Sequence, residues 1–256
     1  MNIENTIKNQ IKQIEQQEAV SILYAVESGS RAWGFASQDS DYDVRFIYAR
    51  PVKEYLQIAP PRDVLEYPLQ GNLDISGWDI LKALRLFQVS NPPLLEWLYS
   101  PIIYQESGTF AQELRLLAQQ QASPQKVCRH YWSMSHNHYK DTIKGKEAVR
   151  SKKYLYALRP IICLRYIEQT TTLPPTSLLE AVAQIELAIE IREEVHALIT
   201  QKQGSTELGE QSPNTLFNAF IEAELSRLND WIPQLPHKES NQTALNTLLW
   251  QHLNLL

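Results

Sequence analysis

Two short apolar runs, residues 20–26 (VSILYAV) and 42–49 (YDVRFIYA), flank a polar connection reading ESGSRAWGFASQDSD. Both runs are rich in β-branched and aromatic residues and are bounded by turn formers, which predicts two strands. Side chains on a strand repeat direction every two residues, so Asp41 and Asp43 project together. Two carboxylates that close raise each other's proton affinity unless a cation lies between them. A hard divalent ion such as Mg²⁺ or Mn²⁺ suits such a pair, because it takes a few carboxylate oxygens and completes its shell with phosphates. At the other end of the connection, Gly29 lets the backbone approach a ligand closely. Ser30 opens a short helix whose free N–H groups favour a phosphate. A fold that satisfies this stretch must therefore set an acidic pair beside a phosphate-accepting turn.

The neighbouring residues extend the pattern. Arg31 is placed either to reach a phosphate or to pair with Glu27. Arg45 shares the strand face of Asp41 and Asp43, where a guanidinium meets a carboxylate or a phosphate; an ion pair is the expectation. Trp33 and Phe35 are expected to pack the short helix onto the sheet, and Asp39 falls in turn-like sequence. Residues 51–70, with four prolines, read as a loop with a short strand at 64–67. Residues 72–76 (NLDIS) read as a further strand centred on Asp74. Residues 78–88 are helical in pattern, with Ser76 as N-cap and Asp79 three positions on. Asn91-Pro92-Pro93 closes that helix and opens the next, at 94–99. Residues 101–104 are extended.

From residue 106 onward strand signals are almost absent. Helices are expected at 109–121, 124–144, 147–169, 176–203, 214–231 and 245–256, with breaks at 123–124, 173–175 and 204–213, and Pro160 is expected to kink or end its helix. The organisation read from the chain is α+β: a small mixed sheet with flanking helices over residues 1–105, followed by an all-α domain over 106–256.

Composition bounds the function. The chain has 256 residues, 43% hydrophobic and 21% charged, as in an ordinary globular protein. No apolar run reaches the length of a membrane span, the N-terminus lacks a signal-peptide core, and two cysteines without metal-ligand spacing fit a cytoplasmic location. The net charge of −5 argues against a generally basic nucleic-acid binder. The charge is uneven: residues 126–166 hold ten Lys or Arg against two acids, +8, while the rest holds 14 against 27, −13. A basic block on an acidic protein points to an anionic ligand, a nucleoside triphosphate or an RNA end. Within it, Lys152 and Lys153 are the best placed in sequence to face a phosphate.

Gly29-Ser30 followed by Asp41-x-Asp43 on a strand resembles the signature of the polymerase-beta-like nucleotidyltransferase superfamily. The longer wording, GSRAWGF and SDYDVRFIY with DISGWD and NPPLLEWL downstream, is similar to the nucleotidyltransferases associated with RNA ligases, the RlaP family. The resemblance implies a nucleotidyltransferase domain at 1–105 and transfer of a nucleoside monophosphate from an NTP to a hydroxyl, with an RNA end as acceptor and an RNA ligase as a possible partner protein. It implies Asp41, Asp43 and a third carboxylate as catalytic, metal-holding residues. Asp74 is taken for the third, because the cap role would occupy Asp79. It implies Gly29 and Ser30 on the nucleotide, beside which Arg31 is the neighbouring candidate, with a lysine of the helical domain, Lys153 or Lys152, on the triphosphate. Related proteins that modify a protein or tRNA, and a non-catalytic nucleotide binder, are the competing readings.

Overall fold

Asn2 opens the first helix, α1 (Ile3–Glu18), by accepting from the Glu4 amide at 3.1 Å. Its Ile7, Ile11 and Ile14, spaced for one helix face, are all buried. The computed structural model describes residues 2–204 and 209–256. After α1 come β1 (Ser21–Ser28), α2 (Gly29–Ala32), β2 (Tyr42–Ala49), α3 (Val52–Tyr55), β3 (Val64–Glu66), β4 (Leu73–Asp79), α4 (Ile80–Gln88), α5 (Pro92–Leu98), β5 (Ile103–Glu106) and α6 (Phe110–Gln121).

The five strands form one mixed sheet in the order β3-β4-β2-β1-β5. β2 and β4 run parallel and the other pairs antiparallel. The period of two sorts the side chains. Val44, Phe46, Tyr48, Leu73 and Ile75 join the three isoleucines of α1 in one core. Burying each such large side chain is worth roughly 1.5–3 kcal/mol. Asp43, Arg45 and Asp74 belong to the opposite face. There Trp78 stacks on Trp97 of α5 at 3.8 Å, and the Tyr24 hydroxyl donates to the Trp97 carbonyl.

Residues Met1–Ala32, Asp41–Ala122 and Glu239–Leu256 make one unit; Trp33–Ser40 and Ser123–Lys238 make the other. The boundary expected at 105/106 thus falls inside the first unit. Arg115 of α6 shows why: it pairs with Glu106 at 2.9 Å and donates to the Leu98 carbonyl at 2.7 Å and the Tyr24 hydroxyl at 2.9 Å. Those bonds tie α6 to the sheet.

The second unit holds α7 (Pro124–Thr142), β6 (Val149–Arg150), α8 (Lys152–Thr170), α9 (Leu178–Ala183), α10 (Ile189–Gly204), β7 (Glu210–Gln211) and α11 (Thr215–Trp231). α8 is buried on nearly every side and forms its centre. It runs through Pro160 rather than ending there. The single helix expected at 176–203 is two, α9 and α10. β6 and β7 form a two-stranded ribbon that the sequence did not announce; of the break expected at 204–213, residues 205–208 lie outside the described residues. Trp33 and Phe35, expected against the sheet, belong here instead: Phe35 is fully buried in this unit's core, its ring 6.3 Å from that of Tyr156. The last helix, α12 (Gln242–His252), returns to the first unit, where the Asn241 amide donates to Gln121 at 2.7 Å and His252 meets Phe110 edge-on. Both cysteines are buried free thiols, and burial pushes Cys128 up to about 12. Among the described residues no helix is long and apolar enough to cross a membrane.

Candidate active site

The site is built on the register of two parallel strands. β2 and β4 pair so that Asp43 stands directly opposite Asp74. Neighbours in register point to the same face, so the two carboxylates share it. Asp41 lies just before β2 and is exposed, while its carbonyl is held by Arg31 Nε at 3.1 Å. The Arg31 guanidinium also lies 3.7 Å above the Tyr42 ring. Arg31 thus grips the backbone and ring beside Asp41, a contact distinct from both roles open to it in sequence.

Gly29 closes the other side. Its φ is +61°, and a Cβ there would lie 2.0 Å from Asp43 Oδ2. Only a glycine lets the chain turn at this point with the Asp43 carboxylate against it. Ser30 is half-buried in α2, the expected short helix, which begins one residue earlier, at Gly29.

Arg45 links the two strands. Its Nη2 donates to Asp43 Oδ1 at 3.1 Å and Asp74 Oδ2 at 2.7 Å. The ion pair expected of Arg45 is therefore present, and it reaches both carboxylates. Burial raises the Asp43 carboxyl above its ordinary range; Arg45 opposes this, and the charges of Asp74 and Asp41 add to it.

Asp79 has other work. It is 2% exposed, its carboxylate accepts from the Leu81 amide at 2.8 Å and the Tyr55 hydroxyl at 2.9 Å, and it caps α4. β4 continues to Asp79, so Ser76 and Trp78 are strand residues and the N-cap is Asp79 itself rather than Ser76. In β4 Asp79 also has the opposite parity to Asp74 and so faces away from Asp43.

Sequence reasoning treated Glu27 only as a partner for Arg31. The structure buries it completely on the α1 face of the sheet. Its Oε1 accepts from the Asp43 amide at 2.8 Å and its Oε2 from the Tyr104 hydroxyl at 2.5 Å. Burial raises its carboxyl, and these two donors oppose the rise. The signal in sequence was a Glu two residues after Ala25 and so in phase with it on the α1 side of β1.

The basic block of the second unit is partly matched within that unit. Lys144 meets Glu222 at 3.2 Å, Arg150 meets Glu210 at 3.8 Å and Arg165 meets Glu224 at 3.4 Å, while Arg159 is 2% exposed over the Trp33 ring. Lys153 lies in the first turn of α8, and its carbonyl is 3.1 Å from His138 Nε2. It belongs to the second unit.

The donor set suits a hard divalent ion: carboxylate oxygens with a glycine cradle that a Cβ would fill. The carboxylates are not gathered into a finished cage. Among the described residues no three His, Cys, Asp or Glu side chains are placed to hold an ion.

A mixed sheet with this acidic pair at a Gly-Ser turn defines the class, a polymerase-beta-like nucleotidyltransferase. The model of the RlaP family, described as the RNA repair pathway DNA polymerase beta family, matches residues 3–251, and the chain belongs to that family. It is 43% identical over 244 residues to the protein YcgL of Bacillus subtilis (strain 168), covering 95% of this chain and 94% of that one. Among solved structures it aligns with a nucleotidyltransferase-like protein from Exiguobacterium sibiricum 255-15 at 12% identity and a TM-score of 0.31, over 98% of this chain and 80% of that chain.

Proposed function

We propose that the protein transfers a nucleoside monophosphate from an NTP to the hydroxyl of an RNA end, with Mg²⁺ or Mn²⁺ bound at Asp43 and Asp74, and Asp41 and the substrate's phosphates completing its shell. The observation that carries this reading is the parallel register that sets Asp74 beside Asp43 at the Gly29 turn. The bound ion supplies charge stabilisation to the entering and leaving oxygens of an in-line displacement.

The chain's own groups do the rest. Gly29 and the amides of α2 offer an approach for the β- and γ-phosphates, and Arg31 adds a positive charge beside Asp41. Asp43, braced by Glu27 at its amide and by Arg45 at its carboxylate, is fixed in place. Asp74, with a side chain 40% exposed against 28% for Asp43, is the more open of the two to an acceptor hydroxyl. That hydroxyl attacks the α-phosphorus and its proton passes to the carboxylate. The bond between the α-phosphorus and its bridging oxygen breaks, and pyrophosphate leaves. No serine, cysteine or histidine nucleophile is needed, so positioning and charge supply the acceleration. The RNA-end acceptor is supported by the family's RNA-repair description and by the basic block, in which Lys140, Lys144, Lys146 and Arg150 are exposed. Lys153 as a triphosphate contact, an RNA ligase as partner and a cytoplasmic location remain part of the proposal on sequence grounds.

The deciding experiment incubates the protein with each α-³²P-labelled NTP, Mg²⁺ or Mn²⁺, and a mixture of RNA and cell lysate. An Asp41→Ala/Asp43→Ala protein is the control. Label on RNA that is lost in the control supports end addition and identifies the nucleotide. Label on a protein band, or equal label with the control, overturns the proposal.

A further inference from the structure

The guanidinium of Arg45 is held by four oxygens. Besides Asp43 Oδ1 and Asp74 Oδ2, its Nη1 donates to the carbonyls of Val44 at 3.0 Å and Asp74 at 3.1 Å. Its side chain is 18% exposed, less than either carboxylate it joins. Backbone carbonyls of two paired strands do not move when a ligand arrives, so half of this grip is permanent. An arginine does not lose its proton in a protein, so the charge is permanent as well. The positive charge therefore sits between two residues assigned to the metal and takes one oxygen of each. Asp43 Oδ2, on the Gly29 side, is not among the atoms it takes.

We propose that Arg45 is a resident counter-ion of the carboxylate site, which in the nucleotide-free protein offsets the charge of Asp43 and Asp74 and keeps divalent-ion binding weak until a triphosphate is present. The inference rests on the nucleotidyl-transfer reading above. With Arg45 in place the Asp43–Asp74 pair carries a net −1 rather than −2, and attraction for a doubly charged ion falls accordingly. An incoming triphosphate brings its own anionic oxygens and restores that attraction. Arg45 thus makes ion binding conditional on nucleotide, and an ion bound without substrate is disfavoured. A clamp that merely joined β2 to β4 would leave ion affinity unchanged when its charge was removed.

The test measures binding of Mn²⁺ alone to the full-length protein by electron paramagnetic resonance, without nucleotide and then with a non-hydrolysable triphosphate. Arg45→Gln is expected to bind Mn²⁺ about tenfold more tightly than wild type without nucleotide, the effect of one unit charge a few ångströms away. With triphosphate the two should agree within about threefold, because the phosphates then dominate the ion's shell. Arg45→Lys keeps the charge and stem but not the fork. It should fold whatever R45Q does, and bind Mn²⁺ about threefold more tightly than wild type. Asp43→Asn should lose binding. Equal nucleotide-free affinities in wild type, R45K and R45Q, all lost in D43N, would overturn the role of Arg45 and leave the carboxylate site standing. No Mn²⁺ binding by any variant, with or without triphosphate, would overturn both readings.

Discussion

Asp43 and Asp74 stand opposite each other on adjacent parallel strands, bridged by one nitrogen of Arg45 at 3.1 and 2.7 Å. Parallel neighbours place residues from distant parts of a chain side by side at a fixed height. The β2–β4 pairing therefore holds two carboxylates thirty-one positions apart at a fixed separation, while Asp41, just before β2, is held at its carbonyl by Arg31. Removing either strand partner breaks the same site in different ways, and the consequences can be measured separately.

Asp43→Ala and Asp41→Ala should each lower nucleotidyl transfer by about 10²–10³-fold or more, the scale for losing a group that stabilises transition-state charge. Circular dichroism should be unchanged, because neither side chain lies in the apolar core. Asp79→Ala should instead leave most of the transfer activity and lower thermal stability, since Asp79 caps α4 and accepts from Tyr55. Loss of a cap costs about 1 kcal/mol. Parallel activity and melting measurements on the three variants distinguish the roles; equal activity loss in D79A and D43A would contradict the assignment.

Gly29→Ala should abolish transfer and destabilise the protein by about 1–3 kcal/mol, because the new methyl meets Asp43 Oδ2 at 2.0 Å and φ is +61°. Gly71→Ala is the control. Its φ is +63° with nothing within 4 Å, so it should cost only about 1 kcal/mol and leave activity intact. Denaturant melts and labelled-NTP assays on the pair separate backbone strain from loss of the carboxylate's place.

Glu27→Ala should cost about 2–4 kcal/mol and reduce transfer as well. It removes the acceptor for the buried Tyr104 hydroxyl and the Asp43 amide, and each orphaned buried donor costs about 1–3 kcal/mol. Tyr104→Phe removes one donor and keeps the Asp43 bond, so it should lower stability with little change in activity. A Y104F protein as inactive as E27A would show that the Glu27–Asp43 bond is not what matters.

His138 gives the second unit a pH dependence. Burial first, and Lys153 second, lower its pKa, while the Lys153 carbonyl and Asp141 oppose the shift. Its Nε2 is 3.1 Å from both the Lys153 carbonyl and Thr142 Oγ1. A depressed native pKa means the unfolded chain binds more protons below about pH 6.5, so stability rises with pH through that window. The contribution is complete above about pH 6.5 and is lost as pH falls through the lower native pKa. Melting temperatures from pH 7.5 to 5 should fall less steeply for His138→Gln than for wild type. Identical slopes would exclude the lowered pKa of the half-buried His138.

By itself the chain determined the local units. The alternation in residues 20–26 and 42–49, Gly29 between them and the prolines at 92–93 predicted β1, β2, the turn and α5, because strand period, positive φ and fixed proline φ are properties of a few consecutive residues. The same period placed Arg45 with Asp43. What depended on pairing across the chain was not legible. In sequence Glu27 is no more than a possible partner for Arg31, and only the β1–β2 ladder with Tyr104 of β5 turns it into the buried brace of Asp43. Ser76 looked like a cap, but pairing with β2 and β3 carries β4 on to Asp79. Trp33 and Phe35 sit within the motif, yet they belong to the second unit's core, and α12 belongs to the first unit. Hydrophobic residues near in sequence bury themselves wherever enough apolar surface is offered, and the tertiary structure alone decides where that is.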